Sequence, residues 1–101
     1  AVTVEDVIHW ASAGGATVLG LDKVGTLAPG MAADLVLYSL EHPRYAGLHD
    51  RAIGPVVGGG QAQIKLGFCN GRLVVADGRV PGLDLPRLMH EARAAVAKMV
   101  L

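Results

Sequence analysis

With a single cysteine, Cys69, the chain has no internal disulfide, which fits a reducing compartment or simply the absence of a redox role; the expected role of that thiol is a small buried hydrophobe, and the expected location is cytoplasmic. Aromatic residues are scarce at 4%, so Trp10 and Tyr45 are read as packing residues rather than as stacking surfaces for a heteroaromatic ligand. Charge is scarce too, at 18%, and balanced: nine Lys and Arg against nine Asp and Glu. No bulk field attracts nucleic acid or an anionic membrane, and neither is expected as a partner. Every apolar run is broken by Gly, Pro or charge well before the roughly 18 residues a membrane span needs. No signal peptide is visible.

What is abundant is apolar material. Hydrophobic residues make up 51% of 101 positions, enough for one modest core but with little polar surface to cover it. A partner surface is therefore expected. The chain opens at Ala1 and runs directly into a helical pattern, as a piece of a longer protein would.

Thr3 followed by Asp6 forms a carboxylate version of the capping box, and Val4, Val7, Ile8 and Ala11 share one helical face. Gly14 and Gly15 threaten to end this helix, which is expected to kink there or restart through "ATVLG" and to stop at Gly20. Ala28-Pro29-Gly30-Met31 suits a type II turn aimed into the apolar strand "DLVLYSL". Residues 41–60 lose all periodicity and read as a long loop with one helical turn near "HDRAIG". Asn70-Gly71 between "QIKLGFC" and "RLVVADG" is a type I′ hairpin signal. Asp77-Gly78 repeats it, with a short third strand expected at "RVPG". Asp84, with Pro86 in the first turn, opens a final helix.

Candidate chemistry is thin. The four histidines, His9, His42, His49 and His90, show neither the His-x-His nor the i, i+4 spacing that builds a metal site. His9 and His90 lie in helices and read as structural. His42 and His49, with Asp50 beside the latter, share the loop and are the residues placed nearest a ligand or a neighbouring domain. Gly58 to Gly60 lead into a strand rather than a helix and carry no P-loop lysine, so no nucleotide site is expected. Ser12 and Ser39 have no base and acid at motif spacing. No catalytic residue and no metal ligand is assigned.

"GTLAPGMAADLVL" resembles the C-terminal signature of the amidohydrolase superfamily, in which a metal-dependent (β/α)8 barrel carries a small β-sandwich built from both chain ends. Gly25, Leu27, Pro29, Gly30, Ala32, Ala33, Asp34 and Leu35 fall where that pattern has them. "ASAGGATVLGLD" resembles the helix preceding the signature, and "CNGRLVVADGRV" the closing hairpin. "VEDVIHWASAGGATVLGLD" with "HPRYAGLHDRAIGPV" is similar to the cytosine and guanine deaminase branch, particularly enzymes acting on oxidised guanine or pterin rings. The resemblance implies a metal-activated water that replaces an exocyclic amine, with zinc or iron held by barrel residues upstream of the segment matching Ala1.

The expected fold is α+β: a small antiparallel unit, the C-terminal part of the composite sandwich, flanked by an N-terminal and a C-terminal helix. The expected segments are 1–21 as the last barrel-side helix region, 22–82 as the sandwich portion with loop 41–60, and 83–101 as the terminal helix. Pro29, Gly30, Asp34, Asn70 and Gly71 are structural residues in this reading, with Asp34 accepting loop N–H groups at a corner. The expected partners are an upstream barrel, in the same or a separate chain, and further copies of the protein. The alternative is an autonomous, non-catalytic module that dimerises or docks on a separately encoded barrel. A small independent metalloenzyme built on His42, His49 and Asp50 is the weakest reading.

Overall fold

The computed structural model describes residues 1–100 and shows an α+β arrangement: helices at both ends and a three-stranded antiparallel sheet between them. Helix α1, Val4–His9, begins with both halves of the capping box in place. The Asp6 N–H donates to Thr3 Oγ1 at 3.1 Å, and the Thr3 N–H donates to Asp6 Oδ2 at 3.0 Å. The two glycines do not interrupt the helix. A π turn over Trp10–Gly14 carries it into α2, Gly15–Leu19, and Gly14 and Gly15 keep right-handed helical angles. The hydroxyls of Ser12 and Thr17 donate back to the carbonyls of Ile8 and Ala13, contacts that bend a helix rather than end it. The stop comes at Gly20, left-handed at φ 73°, where the Leu21 and Gly20 N–H groups close onto the carbonyls of Ala16 and Thr17.

Strand β1 is Leu35–Ser39, β2 is Gln63–Cys69 and β3 is Arg72–Ala76, in the order β1-β2-β3. β1 faces β2 from Leu35↔Phe68 to Ser39↔Gln63 with an irregularity at Leu37/Tyr38, and β2 faces β3 with one at Gly67/Phe68. The expected strand at "RVPG" reduces to one bridge, Ala76↔Arg79, because the turn at Asp77-Gly78 closes on these two residues alone. Segment 41–60 holds more order than its composition announces. It contains short 3-10 turns at Pro43–Tyr45 and Arg51–Ile53 and a single-turn helix α3, Gly54–Val57. The terminal helix α4, Leu85–Met99, starts at Asp84, whose carboxylate accepts the Arg87 N–H at 3.1 Å, and every one of its residues is exposed.

Little is buried. Among hydrophobic residues described, only Ala16 and Tyr45 fall below a tenth exposed. The accessible surface is 8108 Å², whereas a self-contained protein of this mass exposes about 5,400 Å². The radius of gyration is 17.3 Å, against about 13 Å for a compact chain of this length. Two packing expectations fail for the same reason. Trp10 is 58% exposed and Cys69, at the outward-facing end of β2 beside the hairpin tip, is exposed as well, since these residues supply nothing to cover them.

Candidate functional site

The densest polar geometry joins the Pro-Gly corner to the hairpin tip. The Met31 N–H donates to the Ala28 carbonyl at 3.1 Å across Pro29 and Gly30, with Gly30 at φ 88°, and the Ala32 N–H donates to the Lys23 carbonyl at 2.7 Å. From there the chain reaches the second turn. In the Asn70-Gly71 turn both central residues are left-handed, at φ 50° and 79°. The central N–H groups of such a turn point away from their own hairpin and need outside acceptors. The corner provides both: Asp34 Oδ1 accepts the Asn70 N–H at 2.6 Å, and the Ala33 carbonyl accepts the Gly71 N–H at 2.9 Å. Pro29, Gly30, Asp34, Asn70 and Gly71 are thereby brought together in one joint.

The loop histidines are not brought together. His42 caps the 3-10 turn after it, its Nδ1 accepting the Arg44 backbone N–H at 3.1 Å and the Arg44 Nε at 3.0 Å. Its ring meets Tyr45 edge-on at 6.5 Å. An accepting Nδ1 puts the proton of a neutral imidazole on Nε2. His49 is exposed, and Asp50 beside it accepts the Ala52 N–H at 2.9 Å as a cap of its own turn. His9 and His90 are exposed on α1 and α4. Arg44, which sequence reasoning passed over, organises the neck of this loop; a basic residue two positions after a histidine carries no local signal of that role.

Two open grooves among the described residues do not change this picture. One runs between Tyr38 and Tyr45 and includes Arg51 and Lys65; the other borders Arg44, Gln61 and Asp77. Neither holds a nucleophile paired with a base. Lys65 and Asp77 pair at 3.8 Å across exposed surface, a contact of small consequence for stability. The Asp6 carboxyl is held below the usual carboxylate value by the Thr3 backbone N–H and then by the Thr3 hydroxyl.

A family model described as the amidohydrolase family matches residues 1–74. The chain belongs to the amidohydrolase family. It is 48% identical over 100 residues to an isoxanthopterin deaminase of an unknown prokaryotic organism, covering 99% of this chain and 21% of that protein. It is 35% identical over 99 residues to the 8-oxoguanine deaminase of Pseudomonas aeruginosa, covering 98% of this chain and 22% of that one. Among solved structures, an amidohydrolase from a Sargasso sea environmental sample matches with a TM-score of 0.85 at 49% identity, over 95% of this chain and 23% of that chain. Atrazine chlorohydrolase TrzN from Arthrobacter aurescens, solved with zinc, matches with a TM-score of 0.80 at 28% identity, over 91% of this chain and 20% of that chain. The amidohydrolase chain thus spans about a fifth of the length of the relatives it matches.

The donor set does not fit a metal of the kind TrzN carries. No group of three or more His, Cys, Asp or Glu among the described residues is arranged to hold an ion, and a site that activates water needs three or more protein ligands with one position open. No helix of the described residues is long and apolar enough to cross a membrane.

Proposed function

We propose that this chain is the C-terminal segment of a metal-dependent amidohydrolase that hydrolytically deaminates a purine- or pterin-like ring, and that it contributes structure and interface to that enzyme rather than catalytic ligands. The observation that carries this reading is the 48% identity to an isoxanthopterin deaminase, sustained over 99% of the chain. In the reaction, water adds at the ring carbon bearing the exocyclic amine, a C–O bond replaces the C–N bond, and ammonia leaves. The zinc or iron and the groups that move protons belong, in this reading, to an upstream barrel in the cytoplasmic enzyme.

The interface half of the proposal draws support from the surface. A chain that exposes 8108 Å² where about 5,400 Å² is usual has faces made for covering. In this reading the sheet is the C-terminal part of a composite sandwich, the joint at Asp34 and Asn70 fixes the corner where the chain enters it, and residues 1–21 lie on the barrel side. Further copies of the enzyme are the expected second partner. The exposed apolar stripe of α4, with Leu85, Leu88, Met89, Val96 and Met99, favours as second reading a non-catalytic docking module.

The test compares the 101-residue chain with the same segment joined to its upstream barrel, measuring bound metal and ammonia released from isoxanthopterin and 8-oxoguanine. Metal and turnover confined to the longer chain are expected. Stoichiometric zinc with turnover in the short chain overturns the non-catalytic role, and a metal-replete long chain that releases ammonia from neither ring overturns the substrate class.

A further inference from the structure

Arg44 sits at the neck of the loop running from His42 to Gln61. Its Nη1 donates to the carbonyls of Gly59 at 2.8 Å and Gln61 at 3.1 Å, on the far limb, while its Nε donates to His42 Nδ1 at 3.0 Å on the near limb. The guanidinium also lies over the Tyr45 ring, 5.8 Å from its centre. Tyr45 plugs the inside of the loop at 7% exposure, and the Gly58 backbone passes so close to its ring that a side chain there has no room. Gly59 and Gly60, at φ 71° and 62°, turn the returning limb under the guanidinium, where a Cβ on Gly60 would stand 2.5 Å from Arg44 Nη1. The loop carries α3, and α3 lies against α1. One planar fork therefore spans both limbs, a geometry that the single ammonium of lysine does not reproduce.

We propose that Arg44 is a latch that closes residues 42–61 into one lobe, and that the lobe opens by unfolding and closes by refolding as one cooperative unit. The docking of α3 against α1 then depends on one guanidinium. The bonds it makes are charge-assisted, which makes each stronger than the neutral turn bonds around it. Cooperative units of this size open below the free energy of global unfolding when few contacts cross their neck. The latch stands on the loop's own contacts and does not depend on the deaminase reading.

The test is hydrogen exchange on the natural polypeptide that carries this sequence, as wild type, Arg44→Ala, Arg44→Lys and Gly60→Ala. Four lobe amides report opening: Tyr45, Ala46, Leu48 and Gly58, which donate to His42, Pro43, Tyr45 and Gly54. Loss of the fork in Arg44→Ala is expected to speed all four together by about tenfold or more, leaving the β2–β3 amides unchanged. Gly60→Ala, which displaces the guanidinium while Arg44 is present, is expected to do the same, and Arg44→Lys to fall between. Unchanged lobe exchange in Arg44→Ala, acceleration confined to the Tyr45 amide, or equal acceleration of the hairpin amides each overturns the latch.

Discussion

The carboxylate of Asp34 accepts the backbone N–H of Asn70 at 2.6 Å, across 36 positions of sequence. Together with the Gly71 N–H on the Ala33 carbonyl, it satisfies the two donors that a two-residue hairpin turn leaves over. The Pro-Gly corner and the hairpin are thus complementary halves of one joint. Asp34→Ala removes the acceptor and leaves the Asn70 N–H to water. Because the pair is exposed, the expected loss is about 1 kcal/mol, seen as a lowered melting temperature, with Asp34→Asn losing less because its amide oxygen still accepts. An Asp34→Ala chain that melts with the wild type would show that the joint contributes nothing.

Gly71 tests the other half. Its φ of 79° is the conformation that side chains resist, and a Cβ added there meets only Ala33 Cβ at 4.0 Å, so space is not the obstacle. Gly71→Val is expected to cost about 1–3 kcal/mol through backbone strain alone, and Gly71→Ala somewhat less since alanine lacks the β-branch. Thermal melts of both variants give the comparison. Equal melting for wild type and Gly71→Val contradicts the left-handed turn.

Asp6 sets a pH dependence on the first helix. Its carboxyl is held below its ordinary value of 3.8, first by the Thr3 backbone N–H and second by the Thr3 hydroxyl. A lowered folded value stabilises the fold in full above that ordinary value, and the contribution drains away as pH falls through the lower folded one. Helix content measured by circular dichroism is expected to drop in that acidic window for the wild type. Asp6→Asn, which cannot ionise, should show a lower but flat signal there; a wild-type signal that stays flat on acidification argues against the capping box as a charged cap.

How much of this was legible depends on the range of the contact that makes it. The Asn70-Gly71 turn, the Thr3 cap, the Gly20 stop and the Asp84 cap are decided within a few residues, and local chemistry announces them. The sequence left a kink or a restart open at Gly14 and Gly15 but did not announce the π turn that carries the helix through them, since the glycine cost is visible in sequence while that turn is not. Segment 41–60 read as loop because turns of three or four residues carry no period, and the bonds from Arg44 to Gly59 and Gln61 that cross its neck span 15 and 17 positions of sequence. For the joint, the sequence marked Asp34 as an acceptor but could not name Asn70 as the donor.

The exposed surface yields the last prediction. The chain exceeds the surface of a self-contained protein of its mass by roughly 2,700 Å², more than a partner contributes to a stable interface of about 1,200–2,000 Å² in total. The apolar stripe of α4 is part of that excess, with Val96 57% and Met99 82% exposed and no residue of the helix buried. Isolated, the 101-residue chain is expected to self-associate, with sedimentation mass rising with concentration and a hydrophobic dye bound at the apolar faces. Replacing Leu88 and Val96 by Glu places charge on the stripe and should shift the association to higher concentration with little effect on the sheet, because both side chains are exposed. A soluble monomer at high concentration that binds no dye would mean that these faces need no cover, and the interface role proposed for the chain would fall with it.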